Sequence, residues 1–132
     1  MSANTTPLFT LTPFATATQI ATANTNRDGT GTIGTIKAAG TYGSRIDRVV
    51  LTAAVATTAG VVRLYISDGT NHRLLEEILV TAITPSASVA VWSGESQVIT
   101  PESPLVIPDT YSLRASTHNA EAINVCAMGG DY

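Results

Sequence analysis

The sequence predicts an all-β chain: a single antiparallel β-sandwich, jelly-roll-like, of about eight strands behind an extended N-terminal arm. Three observations carry this reading. Short stretches alternating apolar with polar residues recur between Gly, Pro, Asn and Asp. Helical periodicity is weak everywhere except near Leu74 to Leu79. Charged residues make up only 13%, about half the usual quarter, so Thr, Ser, Asn and Gly must cover the surface. Threonine suits a pleated face because it is β-branched and can still offer its hydroxyl to water.

The elements follow in order. Residues 1–13 read as an arm, because Thr6-Pro7 and Thr12-Pro13 push the residue before each proline away from helical backbone. Residues 14–132 form the body. From Phe14 to Ala21 the chain alternates, with Phe14, Thr16, Thr18 and Ile20 on one side, giving a first strand. Asn24 to Gly31 is dense in residues that tolerate turns, and predicts a loop before a strand from Thr32 to Ala38. Arg45 to Val55 carries apolar residues on both faces, as a central strand does.

The sharpest local signal runs from Gly60 to Leu75. Val62, Leu64 and Ile66 oppose Arg63, Tyr65 and Ser67, and Asp68-Gly69 supplies the positive-φ pair of a hairpin turn. Leu74 to Val80 then reads as the returning strand rather than two turns of helix. Further strands are expected at Ser88 to Trp92, Gln97 to Thr100, Pro104 to Ile107, Tyr111 to Ser116 and Ala122 to Met128, with a corner at Pro108-Asp109. In the last, Ile123, Val125 and Ala127 face away from Asn124, Cys126 and Met128. Aromatic residues are only 5% of the chain, so Val, Ile, Leu and Ala must fill the interior.

Composition argues against several functions. The net charge is −3 and the seven basic residues are scattered, leaving no stripe to neutralise a phosphate backbone and no expectation of direct nucleic-acid binding. No run of about 20 apolar residues suggests a membrane span, and the first residues lack the pattern of a signal peptide. The single Cys126 makes no intrachain disulfide, and a buried inert thiol is its ordinary reading. His72 and His118 read as solvent-exposed loop residues. Glu76 and Glu77 are adjacent, so on a strand they point to opposite faces and make no catalytic couple, leaving edge protection or solvation as their role. Asp28 to Gly34 lacks the lysine and flanking elements of a phosphate loop. No catalytic, cofactor or metal-binding residues are assigned, and an enzyme is not expected. Trp92 and the four tyrosines are read as core or subunit contacts ahead of a sugar platform. Tyr111 suggests a corner tyrosine tied back to the backbone.

Three segments carry a resemblance: Ser44 to Arg48, Thr58 to Gly69 and Tyr111 to Glu121. Through them the chain resembles small proteins encoded among the virion genes of tailed bacteriophages and prophages. The resemblance implies a β-sandwich virion part, first of all a capsid decoration (cement) protein that reinforces the phage head, with the major capsid protein as partner and assembly in the host bacterial cytoplasm. A homo-oligomer, dimer or trimer, fits a part repeated at symmetric junctions. The arm then supplies the candidate contacts Thr5, Thr6, Pro7, Leu8, Phe9 and Leu11. A tail or baseplate component, as a glycan-binding fibre module, is the competing expectation.

Overall fold

The computed structural model describes residues 8–132. It is all-β, with nine strands: β1 (Thr12–Ile20), β2 (Gly34–Ala38), β3 (Ser44–Ala53), β4 (Gly60–Ser67), β5 (His72–Val80), β6 (Ser93–Glu95), β7 (Leu105–Ile107), β8 (Ser112–Thr117) and β9 (Ile123–Asp131). They form two antiparallel sheets. One runs β1-β9-β3-β6 with β7 also on β3, and the other runs β2-β8-β4-β5.

The order has a simple origin. The chain doubles back at Asp68–Asn71, and its two halves pair outward from that turn: β4 with β5, β3 with β6 and β7, β2 with β8, β1 with β9. Rolling this double ribbon brings β9 against β3 and β8 against β4, which closes two sheets over one core. A rolled ribbon of this kind is a jelly roll. At the turn only Gly69 has positive φ, at 97°, so the expected Asp-Gly pair of left-handed residues is not formed. Asp68 contributes through its carboxylate, which accepts from Thr70 N at 2.9 Å and Asn71 N at 2.7 Å.

The inner faces follow the sequence alternation in β1 and β9, where Ile20, Ile123, Val125 and Ala127 are buried. In β3 the two-faced apolar pattern has another cause. A bulge at Asp47 shifts the register between Ile46 and Arg48, so Ser44 and Ile46 before it and Val49, Leu51 and Ala53 after it all turn inward. Opposite this bulge β9 passes so close that a methyl group on Gly129 would run into the carbonyl oxygen of Arg45.

Two expected strands are absent. Residues 84–92 form a tight turn bridged between Ser86 and Val89, with strand pairing beginning only at Ser93. Trp92 is nonetheless buried, and its carbonyl accepts from Ala53 N at 2.9 Å. Residues 97–100 are a loop between β6 and β7 rather than a strand, because Ser96 Oγ captures the amides of Val98 and Ile99. That capture drops Ile99 into the core, where it is 1% exposed. At the corner after β7, Thr110 takes φ 72°, held by Asp109 Oδ1 on its amide at 2.8 Å.

Gly129→Ala must displace β9 from the β3 bulge, and is expected to lower the unfolding free energy by about 2–3 kcal/mol, measured by urea denaturation. An unchanged midpoint would show that the two strands do not pass this closely.

Candidate contact surface

Leu8, Phe9 and Leu11 leave the body at the end of the sandwich where β9 finishes. Leu11 N donates to Asp131 O at 2.8 Å, which anchors the segment just before β1 begins at Thr12. Beside it lies the β2–β3 loop, closed by Gly43 N to Gly40 O at 2.9 Å and tied to the last residue by Tyr132 N to Gly43 O at 3.1 Å. The end of β7 completes the rim. Between these segments is an open groove of about 650 Å³, lined among others by Leu8, Phe9, Leu11, Tyr42, Val106 and Pro108.

Its apolar side chains are turned to solvent. Phe9 is 77% exposed, Leu11 83%, Tyr42 80% and Val106 56%, although each is large enough to contribute to a core. Single exposed apolar residues are ordinary, but a contiguous group of them around one groove is a candidate contact surface. Of the arm contacts expected from the sequence, Leu8, Phe9 and Leu11 belong to this group; Thr5, Thr6 and Pro7 lie outside the described residues. From the sequence Tyr42 reads only in common with the other tyrosines, as core or subunit contact, and Val106 does not stand out at all. Their signal was an aromatic in a Gly-rich loop and a valine opposed to the inward Ile107.

Directly beneath the groove is a polar clasp. The Asp131 carboxylate accepts from the Ser44 hydroxyl and pairs with Lys37 Nζ at 3.1 Å, joining β9, β3 and β2 across the sandwich. Lys37 also lies over the Phe14 ring, 4.2 Å from its centre. The Ser44 hydrogen bond is the chief reason the Asp131 carboxyl sits below its ordinary value of 3.8; partial burial opposes it, and Lys37 adds to it.

A second polar cluster lies on the outer face of the other sheet. Residues 21–33 cross over β8 and β4, anchored by Asn24 N to Thr117 O at 2.9 Å. Beneath them Arg63 is fully buried, a position its place among scattered surface cations did not suggest. Its guanidinium donates to Glu77 Oε2 at 3.0 Å and Asn24 O at 2.9 Å, and meets His118 Nδ1 at 3.2 Å. Arginine has no acceptor, so this contact assigns the His118 proton to Nε2. Tyr65 donates its hydroxyl to Asn26 O at 2.9 Å, so among the described residues Tyr65 rather than the corner Tyr111 is the tyrosine fastened to a backbone carbonyl.

Other expectations change accordingly. His118 is engaged with Arg63 and half-buried, and His72 is half-buried with Nδ1 shut from water, so neither is a free loop histidine. Glu76 and Glu77 do point to opposite faces, yet neither serves only for solvation: Glu77 pairs Arg63, while Glu76 accepts from Ser96 Oγ at 2.6 Å and Gln97 N at 2.9 Å. Cys126 is half-buried on the outer face of its sheet rather than in the core. Trp92, 5% exposed, is core and offers no platform. Among the described residues no group of three or more His, Cys, Asp or Glu is placed to hold a metal ion, and no helix is long and apolar enough to cross a membrane.

No protein-family model and no curated protein matches the sequence. The solved structures it resembles include two crystal structures of a pentameric capsid protein isolated from metagenomic phage sequences, one of them solved by iodide SAD phasing. Each is 12% identical with a TM-score of 0.41 over 89% of this chain. The chain spans 59% of the first and 67% of the second. A likeness this distant carries no functional argument.

Two outcomes follow from the polar clusters. Glu77→Ala strands the buried Arg63 charge and should cost about 3 kcal/mol, whereas Arg27→Ala, removing a largely exposed partner of the same carboxylate, should cost under about 1 kcal/mol in the same urea titration. For Asp131 the folded carboxyl is the stronger acid, so the unfolded chain takes up the proton first. Its contribution is complete above the ordinary value of 3.8 and disappears as pH falls through the lower folded value. The stability gap between wild type and Asp131→Asn should therefore close on acidification through that window; a gap independent of pH would deny the clasp its electrostatic part.

Proposed function

We propose that the chain is a non-catalytic structural component of a bacteriophage virion, a homo-oligomeric capsid decoration protein whose apolar end seats on the major capsid protein. The observation that carries the proposal is the exposed group Leu8, Phe9, Leu11, Tyr42 and Val106 around one groove. The sequence resemblance to phage virion proteins supplies the kind of partner. A protein surface suits this groove because covering it removes large apolar side chains from water with few charges to desolvate, and Phe and Tyr are favoured anchors at interface centres. The jelly-roll body below is held by strand ladders and the Asp131 clasp, and Leu11 N is tied to Asp131 O beside that clasp.

A tail or baseplate glycan-binding module is the second reading, and exposed Tyr42 beside Phe9 is what favours it. Sugar recognition also needs several convergent polar groups, and this groove is lined chiefly by Leu, Phe, Val, Pro and Tyr. Saturable binding on a glycan array, lost in Tyr42→Ala, would favour the module over the shell contact.

The test is co-sedimentation with expanded phage capsids. The triple substitution Phe9→Ser, Leu11→Ser, Tyr42→Ser alters only exposed side chains and should weaken capsid binding on the order of a hundredfold. Leu79→Ser with Val89→Ser, exposed apolar residues away from the groove, should leave it unchanged. Undiminished binding by the triple variant would remove this end of the molecule from the contact.

A further inference from the structure

The two sheets present edge strands of very different character. β2 is five residues long, bulged between Thr35 and Lys37, and carries a lysine. β5 is bulged near Leu75 and carries Arg73, Glu76 and Glu77. β6 and β7 are three residues each, separated by the Ile99 loop. Short length, bulges and charge are the usual means by which proteins keep sheet edges from pairing with other chains.

β1 has none of them. It is nine residues long, runs against β9 without a register shift, and contains no charged residue. Among the described residues it pairs with β9 alone, so its other side presents unpaired backbone donors and acceptors along its length. Pro13 removes a donor only at its beginning.

We infer that β1 is a self-association edge, which joins β1 of a second copy of this chain in an antiparallel pair about a two-fold axis at Thr16. The partner follows from matching edges: every other edge in the described molecule is charged or bulged or only three residues long, so the one long uncharged edge available to β1 is another β1. The sequence is compatible with its own reverse. With Thr16 opposite itself, Ala15 faces Ala17, Phe14 faces Thr18, and Thr12 faces Ile20. The outward pair beside the axis is Ala15 with Ala17, both exposed, and Pro13 meets Gln19 further out, so no like charge opposes approach. An isologous contact of this kind closes as a dimer and leaves no free β1 edge to propagate. The inference rests on the edge strands and not on the virion reading.

The register makes the test specific, and sedimentation equilibrium over a concentration series reads it. Wild type should be a dimer. Ala15→Lys with Ala17→Lys sets ammonium groups opposite one another across the seam twice, and should weaken dimerisation on the order of tenfold or more. Ala15→Lys with Ala17→Glu sets each ammonium opposite a carboxylate and should restore it. A monomeric wild type, or a dimer indifferent to the two lysines, overturns the inference; so does failure of the Lys/Glu combination to recover what the two lysines lose. Capsid binding retained by a dissociated variant leaves the virion proposal standing on its own evidence.

Discussion

The rest of the structure depends on one constraint: the chain reverses at Asp68–Asn71, near its midpoint, and each strand before the turn pairs with one after it. Gly69 supplies the left-handed backbone, and the Asp68 carboxylate holds two amides that would otherwise be unpaired. A local turn therefore sets the register of β4 against β5, and the outer pairs are nested on that one. Closure needs the long-range ladders β9 to β3 and β8 to β4, which unite residues from opposite ends of the chain. Most of the fold is non-local, and proteins built this way pay the entropy of loop closure before their contacts reward it.

Two charged side chains join parts of the fold that no strand ladder joins. Arg63 fixes residues 21–33 over the outer face of one sheet, and Lys37 with Asp131 fastens the two sheets beneath the arm. The Lys37–Asp131 pair sits at the end where Leu8, Phe9, Leu11, Tyr42 and Val106 stand in water, next to the Asp131 carbonyl that accepts from Leu11 N.

Legibility in the sequence followed the range of the interaction. The alternation of Phe14, Thr16, Thr18 and Ile20, the 68–71 hairpin and the inward face of β9 were readable because each is set by neighbours in the chain. The Asp47 bulge was not, since two-faced apolarity in β3 has the same appearance whether a strand is central or changes face midway. Nor was Arg63: its burial is created by a loop some forty positions away, and no periodicity within β4 reports it. Ser88 to Trp92 alternates like a strand, but its Val89 bridges only back to Ser86, so pattern exceeds pairing. For the contact surface, Leu8, Phe9 and Leu11 were visible as apolar residues in an extended segment, while Tyr42 and Val106 join them only once β3, β7 and β9 come together.

In the proposed function this apolar end is the face that the jelly roll turns toward a phage shell. Cryo-microscopy of the intact particle at side-chain resolution tests it most directly. The sandwich should lie on the head, with Phe9, Leu11 and Tyr42 buried against the major capsid protein and the 84–92 turn away from it. Density for the chain on the tail, or on the head with those three side chains facing solvent, would contradict it.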